Sequence, residues 1–234
     1  GVGWNMDKIR CVIFDCEGTL VDSETLCCQA IVDVFAHFNK PISLEDCLNH
    51  FQGGKPADIL SETCHRLNCN LSLDLLEPLY RDRKQSLYEA KLKPVKGASY
   101  LLKQLQQMGI NVCIASNSES DRIAHALELT NLDGFFHNAI YSAFDANSWK
   151  PEPDLLLYAA LNMGVSPKEC IYVDDTLKGV EAGIKARMQT YYYRPSQPEY
   201  QVDHELVHTI SNIQELLKSL EEKDPQFNLN FSAL

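Results

Sequence analysis

Four short signals stand in one order along the chain: Asp15-Cys16-Glu17-Gly18-Thr19, then Ser116, then Lys150, then the pair Asp174-Asp175. Three of them follow short apolar runs that read as buried strands, and Lys150 opens a Lys-Pro-Glu-Pro loop. Carboxylates, one hydroxyl and one amine gathered at strand ends suit Mg²⁺-assisted phosphoryl transfer. Asp15 enters a Gly18-Thr19 turn whose backbone N–H groups can face an anion, and a carboxylate there can attack phosphorus to form an aspartyl-phosphate. Taken singly, each signal has a plainer reading. Asp15 could be a solvated strand-end acid, Ser116 a helix N-cap, Lys150 a surface lysine before a turn, and Asp174-Asp175 a capping pair. Their shared order favours the chemical reading.

The elements that must position these residues alternate along the chain. Cys11–Phe14, Ile110–Ile114, Ala139–Tyr141, Ile171–Val173 and Thr190–Tyr193 are short, apolar and rich in β-formers. Within the last, Tyr191, Tyr192 and Tyr193 are expected to alternate in burial. Leu101, Leu102, Leu105 and Met108 mark a helix that stops at Gly109; a second runs from Pro153-Asp154 to Gly164, and a third follows Asp175. Strands alternating with helices and buried on both faces predict a Rossmann-like α/β core around a parallel sheet. Ligands in such sheets bind beyond the carboxyl ends of the strands, where the four signals sit.

Residues 20–92 break the alternation and contain no convincing strand. Ile31, Val34, Phe35 and Phe38 form a helical stripe, Ser43-Leu44-Glu45-Asp46 resembles a capping box, and further helices are expected over 56–67 and 72–90. The predicted organisation is a core of residues 6–19 and 93–220 interrupted by an all-helical cap over 20–92, with 221–234 as a tail. Caps of this kind exclude water and select substrate by closing. Gly1 to Asn5 precede Met6, read as the initiator, and are treated as a cloning remnant without function.

A chain of 234 residues suits one large domain or a core with an insert. No apolar run approaches the roughly 18 residues that span a bilayer, and no signal-peptide pattern opens the chain. Nine cysteines without ordered spacing argue for a reducing cytosol rather than a disulfide framework, so a cytoplasmic location is expected. Cys64-His65-Cys69 lacks the second half of a metal site, and both it and Cys27-Cys28 read as buried thiols. A net charge of −11 disfavours nucleic acid and anionic membranes as partners. A small anionic substrate would need local positive charge from Lys150, Lys55 or a bound cation.

Phe-Asp-x-(acidic)-Gly-Thr-Leu-Val-Asp-Ser, then strand-Ser-Asn, Lys-Pro-x-Pro and Val-Asp-Asp together resemble the haloacid dehalogenase superfamily over about residues 8–218. More narrowly, the chain resembles its Mg²⁺-dependent phosphatases with a helical cap after the first motif, among them bacterial sugar-phosphate phosphatases of the 6-phosphogluconate type, and next β-phosphoglucomutase. The resemblance implies Asp15 as nucleophile and Mg²⁺ ligand. It implies that residue 17 gives its carbonyl to Mg²⁺ and its side chain as general acid, then base. Ser116 and the Asn117 backbone would hold phosphoryl oxygens, with Thr19 beside them, and Lys150 would neutralise charge. Asp175 would bind Mg²⁺ directly, with Asp174 a second ligand or an orienter through water. Opposed charges and hard oxygen ligands make each role physically sensible. The cap loop Phe51–Pro56 offers Gly53 and Gly54 for close backbone approach and Lys55 as a substrate contact or a solvated lysine. Glu24 could face the site or favour its helix N-terminus.

The chain departs from the pattern at Glu17, where the resemblance implies aspartate. The carboxylate reaches about 1.5 Å further. A misplacement near 1 Å costs roughly 10²-fold, and loss of acid–base help roughly 10²–10⁴-fold. The expectation is a Mg²⁺-dependent phosphatase acting on a small phosphorylated metabolite with reduced turnover, as a monomer or weak homodimer. A phosphomutase and a catalytically impaired phosphometabolite-binding protein are the alternatives.

Overall fold

The structure, a computed structural model, describes residues 8–196 and 201–223; residues 1–5, read as a cloning remnant, Met6, and most of the tail from 221 lie outside them. In chain order, β1 (Cys11–Phe14) leads into four helices, α1 (Glu24–His37), α2 (Leu44–His50), α3 (Pro56–Arg66) and α4 (Leu73–Lys91). Then follow α5 (Ala98–Gln107), β2 (Asn111–Ser116), α6 (Ser120–Leu129), β3 (Ile140–Ser142), α7 (Ala143–Ala146) and α8 (Asp154–Asn162). The described chain closes with β4 (Cys170–Asp174), α9 (Leu177–Lys185), β5 (Gln189–Tyr193), β6 (Val207–Ile210) and α10 (Glu215–Lys223). It divides into two compact units, Asp22–Lys93 and the remainder.

The larger unit is a six-stranded sheet in the order β3-β2-β1-β4-β5-β6, every neighbour parallel. Parallel strands need crossovers, and helices lie between successive strands from β1 to β5, which gives the Rossmann-like α/β core expected. β1 and β4 are buried along their whole length because both faces of the sheet are covered. The same packing corrects one expectation. Tyr191, Tyr192 and Tyr193 do not alternate but are all buried, since α9 lies on one face of β5, with Gly183 against Thr190, and Tyr191 reaches Ser219 of α10 on the other. β6 and α6 were not foreseen. β6 is a four-residue edge strand with an exposed histidine and a weak apolar pattern, while α6 buries a helical stripe of Ile123, Ala126 and Leu127. α10 continues through Lys223, past the boundary of residue 220 expected for the core.

The smaller unit is helical throughout and has its own core of Ile31, Phe35, Leu60, Leu76 and Tyr80. Ser43 caps α2 by accepting from the Asp46 N–H at 3.0 Å. The reciprocal half of a capping box is not formed; Asp46 instead pairs with Arg66 at 3.1 Å. Arg83 joins Asp33 of α1 at 2.7 Å. Cys27, Cys28 and Cys64 are buried, and Cys69 is half-buried.

Candidate active site

Strand register brings the first and last signals together. Phe14 pairs with Ile114 on one side and Val173 on the other, so the next residues, Asp15, Ala115 and Asp174, stand level at the carboxyl edge. The Asp15 N–H donates to the Val173 carbonyl at 3.0 Å, which fixes that alignment. Beyond Asp15 the chain turns tightly, with the Leu20 N–H on the Cys16 carbonyl at 2.9 Å and the Gly18 N–H on the Val21 carbonyl at 3.0 Å. Gly18 has φ +79°, and a Cβ there would collide with the Asp175 carboxylate. Strain and collision act together, so Gly18→Ala is expected to weaken Mg²⁺ binding at least about tenfold, as measured by calorimetry.

Lys150 is the hub. It is 6 % exposed and its ammonium donates to Asp15 Oδ1 at 3.0 Å, the Ala115 carbonyl at 3.1 Å, Tyr172 Oη at 2.8 Å and Asp174 Oδ2 at 3.1 Å. The surface-lysine reading is thereby excluded. Its loop, in which the Lys150–Pro151 peptide is cis, is pinned by Asn117. The Lys150 N–H donates to Asn117 Oδ1 at 2.9 Å, and Asn117 Nδ2 donates to the Lys150 carbonyl at 3.2 Å. Asn117 therefore spends its side chain on positioning Lys150, and only its backbone is left for a substrate.

Asp174 is wholly buried. Its Oδ1 accepts from the N–H and hydroxyl of Thr176, each at 2.8 Å, and its Oδ2 accepts from the Tyr172 hydroxyl as well as Lys150. Thr176, not the aspartate pair, is the N-cap of α9. Asp175 accepts from the Thr19 hydroxyl at 3.0 Å. Thr19, expected beside the substrate, is instead fully buried and orients this carboxylate. Ser116 is buried and its Oγ accepts from the Ser118 N–H at 3.1 Å, while the N-cap of α6 is Glu119; the helix-cap reading of Ser116 does not hold. Glu17 is half-buried in the turn after Asp15. Gly53, Gly54 and Lys55 belong to the helical unit, in the loop before α3.

One oxygen each of Asp15, Asp174 and Asp175 lies within 4.8 Å of the other two. Against these three acids Lys150 supplies a single positive charge. Burial first, and then the neighbouring Asp174 charge, push the Asp15 carboxyl up to about 7, despite the opposing pull of Lys150. Burial and the same crowding hold Asp175 well above the ordinary carboxylate range. Burial alone would lower Lys150, but the Asp15 and Asp174 charges outweigh it and hold the ammonium protonated. A pocket of hard oxygen donors with surplus negative charge fits Mg²⁺.

A carboxyl raised in the folded state makes the metal-free protein less stable as pH rises from about 4 towards the Asp15 value of about 7. A bound cation removes that penalty. The rise in Tm on adding Mg²⁺ is therefore expected to grow by several degrees between pH 5.5 and 8, as checked by thermal melts with Mg²⁺ and with chelator.

Tyr172 was not anticipated as a site residue. It reads as core, yet it stands two residues before Asp174 on one strand, so the strand period alone places both side chains on the same face.

A parallel α/β core of the Rossmann-like class thus carries acids, a lysine and a serine at the carboxyl edge of its sheet, where ligands bind in such folds. The model of the haloacid dehalogenase-like hydrolases matches residues 12–193, and the chain belongs to that family. It is an enzyme, a hydrolase of the phosphatase kind. It is 31 % identical to the 6-phosphogluconate phosphatase of Escherichia coli over 211 residues, which covers 90 % of this chain and 94 % of that one. A family hydrolase from Deinococcus radiodurans, solved with bound phosphate and sodium, superposes with a TM-score of 0.77 at 25 % identity, covering 92 % of this chain and 96 % of that one. A β-phosphoglucomutase-type protein from Thermotoga maritima gives 0.72 at 21 % identity, covering 90 % and 99 %, a likeness of fold alone. No helix among the described residues is long and apolar enough to cross a membrane.

Proposed function

We propose that this chain is a cytoplasmic, Mg²⁺-dependent phosphomonoesterase that hydrolyses a small phosphorylated sugar or sugar acid through Asp15. The observation that carries the reading is the Asp15–Lys150–Asp174 cluster beside Asp175, with oxygen ligands at one strand edge and a paired ammonium. Similarity to the Escherichia coli enzyme favours 6-phosphogluconate as the first substrate to try. Nine free thiols suit a reducing compartment.

In the proposed path an Asp15 oxygen attacks phosphorus while the P–O bond to the sugar breaks. The departing oxygen takes its proton from Glu17. Lys150 lowers the repulsion between the carboxylate and the incoming dianion, and Ser116 with the Asn117 backbone holds the transferring group. Glu17, now ionised, takes a proton from the water that attacks the aspartyl-phosphate, and the Asp15–phosphorus bond breaks to release phosphate. Asp15, Asp174, Asp175 and the Glu17 carbonyl are the candidate ligands of Mg²⁺, which when bound offsets charge on Asp15 and on a phosphoryl oxygen. In this reading substrate selection falls to Gly53, Gly54 and Lys55 of the helical unit. The protein needs no nucleic acid or membrane partner and works as a monomer or weak homodimer.

The test is phosphate release over a panel of sugar phosphates, with and without Mg²⁺, run beside Glu17→Asp. Mg²⁺-dependent release is expected from the parent protein, with kcat rising about 10–100-fold in Glu17→Asp at nearly unchanged KM. A parent already fast, with no gain in the variant, would show a pocket adapted to glutamate. Tight substrate binding without release in either protein would favour a phosphometabolite-binding role, which Glu17 motivates. A sugar bisphosphate formed during turnover would mark a phosphomutase.

A further inference from the structure

The Asp174 carboxylate has four lone-pair directions and four protein donors. The Thr176 N–H and hydroxyl occupy Oδ1; the Tyr172 hydroxyl and the Lys150 ammonium occupy Oδ2. Asp174 is completely shielded from solvent, and a Cβ on Gly179 would collide with its carboxylate, so it is wedged against the first turn of α9. Asp175, by contrast, is partly open and has the Thr19 hydroxyl as its side-chain donor. The two neighbouring acids are therefore unequal: one is saturated by protein donors, and the other has acceptor capacity left.

Lys150 presents the matching arithmetic. Its three N–H bonds face four acceptors, namely Asp15, the Ala115 carbonyl, Tyr172 and Asp174. The Tyr172 phenol gives its single proton to Asp174 and can accept one from Lys150, so it satisfies part of Asp174 without drawing the ammonium away from Asp15. The lysine nitrogen also lies 5.5 Å from the centre of the Tyr172 ring. From this arrangement we infer that Tyr172 and Asp174 form a clamp that positions Lys150 against Asp15, and that Asp174 is a positioning residue rather than a direct ligand of the cation. The inference rests on the phosphatase reading above and decides between the two roles the sequence left open for Asp174.

The experiment measures two binding constants in the intact protein. Mg²⁺ affinity is taken by calorimetry on the parent protein, Tyr172→Phe, Asp174→Asn and Asp175→Asn, and orthovanadate affinity at saturating Mg²⁺ on the same set. Tyr172→Phe is expected to keep Mg²⁺ affinity within about threefold and to bind orthovanadate about 10–100-fold more weakly. Its kcat should fall in parallel, with KM nearly unchanged. Asp174→Asn is expected to lose at most about tenfold in Mg²⁺ affinity, whereas Asp175→Asn loses more than about 100-fold. Equal losses in the two asparagine variants would make Asp174 a ligand and overturn the inference. So would parent-like orthovanadate affinity in Tyr172→Phe, which would leave the tyrosine a packing role only. If Tyr172→Phe does not fold, the comparison of Asp174→Asn with Asp175→Asn still decides. Failure of the parent protein to bind orthovanadate would instead count against the phosphatase reading, and the Mg²⁺ comparison would still judge the clamp.

Discussion

Asp15→Asn is expected to abolish phosphate release, with a loss of at least about 10⁴-fold in kcat, the scale on which removal of a nucleophile acts. The amide keeps the size of the carboxylate and can still accept from Lys150, so substrate affinity should change far less. Stability should move the other way. Ionised Asp15 is disfavoured in the folded protein, its carboxyl being raised to about 7 chiefly by burial and by Asp174. At pH 8 the neutral amide removes that penalty, and the metal-free variant should melt several degrees higher than the parent. Opposite changes in activity and Tm, read from kinetics and melts on one preparation, would distinguish a strained functional carboxylate from a structural one.

Lys150→Met is expected to be nearly as damaging to activity and, unlike Asp15→Asn, damaging to stability. The methionine fills similar space but removes the only cation in hydrogen-bond contact with Asp15 and Asp174 among the described residues. Loss of one partner from a buried ion pair costs about 3–5 kcal/mol, which in a domain of this size lowers Tm by roughly 6–20 °C. Phosphate release should fall by at least about 10³-fold, since electrostatic stabilisation of the transferring group is lost with the pairing. A cation bound there would neutralise the same carboxylates, so Mg²⁺ should recover more Tm in the variant than in the parent. Melts with Mg²⁺ and with chelator check this directly.

Much of this site is legible in the chain because the chemistry sits at the ends of strands. Asp15 and Asp174 each end an apolar run, and parallel register makes such ends neighbours whatever their separation in sequence. Lys150 was legible only as a motif in a loop. Its burial depends on Asn117, which holds the loop backbone from 33 residues away, and no local pattern encodes that pairing. Thr19 and Tyr172 show the same limit. The Gly18-Thr19 turn reads as facing an anion through its backbone, and only the fold shows the Thr19 hydroxyl set on Asp175; a tyrosine among apolar residues suggests core, but the strand period puts its hydroxyl beside Asp174. The three consecutive tyrosines were expected to alternate because a half-exposed strand would make them do so. They are all buried because helices cover both faces of β5, α9 against Thr190 and α10 against Tyr191, a tertiary packing that the local pattern does not encode.

The most direct measurement is chemical trapping of the phosphorylated protein. The enzyme is mixed with excess phosphorylated substrate and Mg²⁺, quenched, reduced with borohydride and digested for peptide mass spectrometry. An acyl phosphate on aspartate is reduced to homoserine, so the expected result is homoserine at position 15, seen only when both Mg²⁺ and substrate are present and missing from Asp15→Asn. Homoserine at any other position, or phosphate release that survives Asp15→Asn, would contradict Asp15 as the nucleophile.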